Sequence, residues 1–192
     1  MNTPTPAGAG IATDVDVVGV GNLVPADYPA PDPLATPTDL QPAAARDVVG
    51  AVNPLIADAL ALYLKTKNFH WHVSGPHFRD YHLLFDEQAE QLLASVDVLA
   101  ERVRKLGGTT IRGVGHVSGL QAITDDDEQV VPAAEMLRRL LDDNRLIAAR
   151  QRAAIAVCDA NRDSVTANVL QEQLDGTERR IWFLFETGQG VR

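Results

Sequence analysis

The fold class this sequence predicts is all-α, a four-helix bundle, and three observations lead there. Alanine and leucine dominate while β-branched runs are short, which favours helix over strand. Apolar residues recur at helical spacing over four long stretches. Gly-Pro and Gly-Gly pairs fall at the ends of the first two stretches, where a helix must stop.

The first helix is expected from about Ala43 to Ser74, with Val52, Leu55, Ile56, Leu60, Leu62 and Tyr63 forming a broad apolar face. Gly75-Pro76 ends it, since glycine permits the cap and proline cannot continue the helix. The second is expected from Phe78 to Leu106, about 40 Å long at the helical rise, and stops at Gly107-Gly108. Residues 107–130 read as a connection carrying Gly113, Gly115 and Gly119, with a short helix expected over Ser118 to Ile123 and capped by Ser118. The third helix is expected from Val131 to Cys158, with Asp127 or a neighbour near its cap and Pro132 in its first turn. The run Asp125-Asp126-Asp127-Glu128 reads as a solvated start to that helix, matched to its dipole, in preference to a metal site. The fourth helix is expected from Ser164 to Thr187, before Gly188 and Gly190.

Residues 1–45 differ from everything after them. They hold eight of the eleven prolines and five aspartates, with no Lys or Arg before Arg46. Proline at this density opposes helix, and too few large apolar residues are present to bury a core. The segment reads as an extended arm, mobile or laid along a neighbouring subunit, leaving 46–187 as the folded domain and 188–192 as a short tail.

The net charge of −9 and pI near 4.9 disfavour a phosphate backbone as partner. Cys158 is the only cysteine, so no disulfide can form within the chain, and a small packed residue is its expected role. No stretch approaches the roughly 18 apolar residues of a membrane span, and Asp14 and Asp16 break the one apolar run near the start. A cytoplasmic protein is expected.

Four of the five histidines lie between positions 70 and 82. His70 and His82 stand about equally far from the Gly75-Pro76 turn, so an antiparallel hairpin brings them side by side. Along the second helix His82, Asp86, Asp97 and Glu101 fall on one face, at steps of four, eleven and four. A solvated polar face is the plain alternative. Flanking Leu83, Leu92, Leu93, Val96 and Leu99 argue for crowding, where acids need a cation or a hydrogen-bond donor. His82 and Asp97 are fifteen residues apart, about 22 Å along a straight helix, and cannot hold one ion in the same chain. Packing a second copy antiparallel across a two-fold axis would join the histidines of one chain to the acids of the other. Such mixed ligation suits iron, manganese or zinc.

At these residues the chain resembles a known family. His70-Trp71-His72-Val73-Ser74-Gly75, then Tyr81-His82 and Asp86, is similar to the first signature of the Dps mini-ferritins. Val96 to Arg102, followed by Leu106-Gly107, is similar to their second. Tyr81 departs from the smaller aliphatic residue usual there, without touching a ligand position. The resemblance covers residues 46–187, including the closing segment Thr177 to Trp182.

What the resemblance implies is a ferritin-like four-helix bundle assembling as a hollow dodecamer, with ferroxidase sites at dimer interfaces. His70 and His82 would come from one chain, Asp97 and Glu101 from its partner, with Asp86 a further ligand or a supporting carboxylate. Trp71 would lie beside the site and intercept oxidising equivalents; a core aromatic is its plain reading, and the two are compatible. Fe(II) would be oxidised with hydrogen peroxide in preference to oxygen, and Fe(III) stored in the cage, protecting the cell and its DNA. Asp159 and Asp163 would line iron-entry pores, or Asp163 would cap the last helix. His72, His77 and His116 are weaker metal candidates.

Two other readings compete. A nucleoid-coating protein would need mobile basic termini, whereas this arm is acidic and only Arg192 lies in the tail. DNA binding is therefore expected to be weak or absent. An enzyme with a di-metal centre inside one bundle would show Glu three places before a histidine, and none of the five histidines has it.

Overall fold

A computed structural model describes residues 28–189 of the chain. The arm before residue 28 and the tail after residue 189 lie outside the described residues. Five helices follow in order: α1 (Pro42–His72), α2 (Phe78–Lys105), α3 (Val114–Leu120), α4 (Ala133–Ala160) and α5 (Ser164–Thr187). Four are long and form the bundle, and short α3 lies in the connection against α1. The all-α ferritin-like architecture expected from sequence is the one observed.

Each end has a local cause. Pro42 opens α1 in the first turn, where a missing N–H costs nothing. Gly75 takes φ +110° in the turn to α2, a backbone state closed to most side chains. Asp163 caps α5 by accepting from the Thr166 amide at 3.0 Å. Two expectations shift. The short helix starts at Val114, four residues before Ser118, and its cap position is Gly113. The third long helix begins at Ala133 with Pro132 as its cap, so Asp127 does not cap it. The acidic run is held from the side instead, with Asp126 Oδ2 2.7 Å and Glu128 Oε1 2.9 Å from Arg139.

The core fills the bundle in two clusters. One packs Leu62, Phe69, Tyr81, Phe85, Leu92, Leu137, Leu140 and Leu184, the other Val48, Val52, Ile56, Leu99, Val103 and Leu170. Leu62 and Leu184 share the first cluster, so the C-terminal ends of α1 and α5 meet the N-terminal ends of α2 and α4. By length and composition α1 could cross a membrane, yet 61% of its most apolar window is buried against its own protein, as in a core helix. The connection is tied down by Asp58 on α1. Its fully buried carboxylate accepts from the Ala122 amide at 2.6 Å and lies 2.8 Å from Arg150 Nε.

Residues 28–41 are irregular, with a turn at 32–33, and cross the C-terminal end of the chain's own α2. Ala30 is buried, and its amide donates to the Gly107 carbonyl at 3.0 Å. Arg104 Nη2 donates to the Leu34 carbonyl at 2.6 Å. The last part of the arm therefore neither swings free of the body nor needs a neighbour to hold it.

Candidate metal centre

The α1–α2 turn brings His70 and His82 together as the spacing predicts. Their rings stack with centroids 3.7 Å apart and an interplanar angle of 22°. Each ring is held by the other residue's backbone: His70 Nδ1 lies 2.8 Å from the His82 carbonyl, and His82 Nδ1 lies 2.9 Å from the His70 carbonyl. A carbonyl oxygen can only accept, so both Nδ1 atoms carry the proton. In the neutral ring this tautomer leaves Nε2 with a free lone pair, the form that ligates a metal. Reciprocal bonding of this kind also fixes both ring planes before any ion arrives.

Asp86 stands one turn along α2, its Oδ1 3.9 Å from His70 Nε2. Lys67 on α1 lies 2.6 Å from the same oxygen, and its hydrogen bond and charge hold the Asp86 carboxyl below the usual range. Sequence reading missed Lys67, because a lysine on a helix signals no ligand. Only the hairpin's register, nineteen residues across the turn, shows it facing a carboxylate.

Asp97 and Glu101 do not join this group in the single chain. Both are exposed near the far end of α2, and Glu101 pairs with Lys105 one turn on, at 3.1 Å. Among the described residues no three His, Cys, Asp or Glu side chains converge to hold an ion. The bundle interior is no substitute. It holds a cation already in buried Arg180, which donates to neutral Asn144 and Thr177 at 2.8 Å each and is pushed down to about 10 by desolvation.

Trp71, beside His70, is 58% exposed, so a core aromatic it is not. With Leu64, Phe78, Leu83 and Leu93 it leaves a run of large apolar side chains in water on the outer faces of α1 and α2. Such a surface marks a contact.

A ferritin-like domain family model matches residues 49–189. A DNA protection during starvation protein of Brevibacillus brevis is 32% identical over 133 residues, 69% of this chain and 89% of the relative. The chain belongs to the Dps family of ferritin-like proteins. An uncharacterized low temperature-induced protein of Nostoc is 33% identical to this Dps chain over 147 residues, 75% of this chain and 82% of the relative. Among solved structures, DpsC from Streptomyces coelicolor superposes with a TM-score of 0.79 at 28% identity, covering 82% of this chain and 92% of that one.

The remaining candidates scatter in this Dps chain. Asp163 is 3% exposed, and its carboxylate is taken up by Arg102 Nη2 at 2.9 Å and the Thr166 amide. It is a cap and an ion-pair partner, turned away from water. Asp159 is exposed at the end of α4. His72 and His77 are exposed, and His72 Nδ1 bonds the Asn68 carbonyl at 2.8 Å. His116 lies in α3, away from the pair. Burial pushes the Cys158 thiol up to about 12, which keeps it inert.

Proposed function

We propose that this protein is an iron-oxidising, iron-storing mini-ferritin whose ferroxidase site forms between two copies of the chain. The carrying observation is the His70–His82 pair, with both Nδ1 atoms bound to backbone and both Nε2 atoms available. In support, Asp97 and Glu101 are exposed on α2, about 22 Å or more along the helix from His82, and among the described residues they join no group of three metal-capable side chains. A second copy crossing antiparallel supplies the missing halves, and two-fold symmetry makes two sites per dimer. Six such dimers close a dodecameric cage, as the family resemblance implies.

Fe(II) is the substrate. Imidazole nitrogens and carboxylates together hold it, with Asp86 beside the pair and Trp71 next to His70. Two Fe(II) ions each give one electron to hydrogen peroxide, which takes two protons and leaves as two waters, so no hydroxyl radical is released. Oxygen serves as the slower oxidant. Fe(III) then passes inward for storage, and exposed Asp159 draws cations toward the entry pores. Zinc or manganese can occupy the same donor set.

The test is a His70→Ala, His82→Ala double variant given Fe(II) and peroxide, with oxidation followed by absorbance. Loss of at least about tenfold in initial rate is expected, since both imidazoles are gone. Oxidation at the wild-type rate would sink the proposal.

Several relatives are named for DNA protection, and sequestering iron protects DNA without touching it. With a net charge of −9 this chain binds DNA weakly or not at all in the cytoplasm. A gel shift at physiological salt that saturates below micromolar protein would overturn that expectation.

A further inference from the structure

We infer that residues 28–36 form part of the contact between two copies of this chain, with Leu34 of one copy seated on Phe78 of the other. The inference rests on the shared-site reading above and extends it to a segment that reading leaves unused.

The segment is built into the fold at one end of α2. Ala30 is buried and bonded to Gly107, and Arg104 spans the Leu34 and Gly108 carbonyls. Gly107 holds φ +78°, and a Cβ there would lie 2.5 Å from the Thr36 oxygen, so only glycine lets the segment approach so closely. Residues 30–36 thus form a strap clamped across the last turn of the helix.

Helical geometry says which face the strap crosses. Arg104 follows Asp97 by seven residues, which leaves it about 20° away around the axis, and it follows Glu101 by three, about 60° away. Leu99, Val103 and Leu106 point to the core on the other side. Arg102 turns toward α5, where it meets Asp163 and Thr166. The strap therefore lies on the outer face that carries the two acids, one turn beyond Glu101.

Register then names the opposite residue. For His82 to reach between Asp97 and Glu101 of an antiparallel copy, the helices cross near Glu90, which is exposed. The same register sets Phe78 of the partner subunit opposite Val103 and Arg104, at the strap. Phe78 is 45% exposed and Leu34 46% exposed, two large apolar side chains left in water in the single chain. The Phe78 ring lies 5.1 Å from the His82 ring. Leu34 on Phe78 closes the end of the histidine pair to water.

Cysteine cross-linking of the assembled full-length protein tests this. Cys158 is fully buried and stays silent. A Leu34→Cys, Phe78→Cys variant, mildly oxidised, is expected to run mainly as a covalent dimer on a non-reducing gel, while each single variant runs as a monomer. Adding Arg104→Ala to the pair cuts cross-linking several-fold, because the strap loses its clamp. Glu90→Cys, across the two-fold axis, reports the shared-site packing on its own. If Glu90→Cys cross-links and the Leu34–Phe78 pair does not, the strap contact is wrong and the shared site stands. Failure of both removes the shared site as well. A covalent dimer from Leu34→Cys alone would mean that strap meets strap, and would also overturn the inference.

Discussion

At the scale of single residues, two groups decide what the site can hold. The paired Nδ1 bonds at His70 and His82 commit both rings to one tautomer and fix their planes, so the proposed site needs no reorganisation there. Lys67 works the other way. Its ammonium sits 2.6 Å from the Asp86 oxygen that lies nearest His70 Nε2, so an incoming cation must displace it. Asp86 is partly open to solvent, which screens the pair and keeps the effect moderate. Lys67→Met is expected to raise Co(II) affinity about tenfold, because no ammonium then competes for the carboxylate. Titration of the apo protein with Co(II), followed by visible absorbance, measures it. Unchanged affinity would mean that Lys67 is a bystander.

At the scale of elements, the α4–α5 corner shows how one carboxylate organises a helix start. Burial works against ionisation of Asp163, but the Thr166 hydroxyl and amide and the Arg102 guanidinium outweigh it and hold the carboxyl below its ordinary value. A depressed value in the folded state means that the ionised form supplies stability above the unfolded value of about 3.9, lost as pH falls through the folded one. Asp163→Ala is therefore expected to cost about 2 kcal/mol near neutral pH, as a lost buried cap. The gap from wild type should close on the acid side, and urea midpoints taken across that range check it. A gap that persists in acid would assign the loss to packing instead. This corner was half legible: the Ser164 start was clear, and a cap role for Asp163 stood beside a pore role. Only the fold shows Arg102, sixty-one residues away, taking up the carboxylate. The four long helices were legible because apolar periodicity and glycine stops agree along each. Helix α3 was misplaced because Ser118 is a good capping type, while Gly113 gives no side-chain signal. The strap at 30–36 was hidden for a related reason. Its hold on α2 runs through backbone groups, the Leu34 carbonyl and the Ala30 amide, which composition does not report.

At the scale of the whole molecule, the proposed function gives one chain of this Dps protein two half-sites at opposite ends of one helix face. That arrangement makes an outcome no self-contained site can give. One chain is made His70→Ala, His82→Ala and a second Asp97→Ala, Glu101→Ala, each inactive when assembled alone. In a mixed dimer the intact histidines of the second chain face the intact acids of the first, which restores one of the two sites. The other site lacks all four groups. Random pairing at equal amounts makes half of the dimers mixed, so co-expressed chains should recover about one quarter of wild-type Fe(II) oxidation. Purified single-variant assemblies mixed without subunit exchange should recover none, which separates complementation from residual activity. Recovery near zero in the co-expressed sample, with mixed dimers verified by native mass spectrometry, would show that the histidines and acids do not share an ion. Recovery near one quarter locates the catalyst at the interface, so that assembly itself switches the chemistry on.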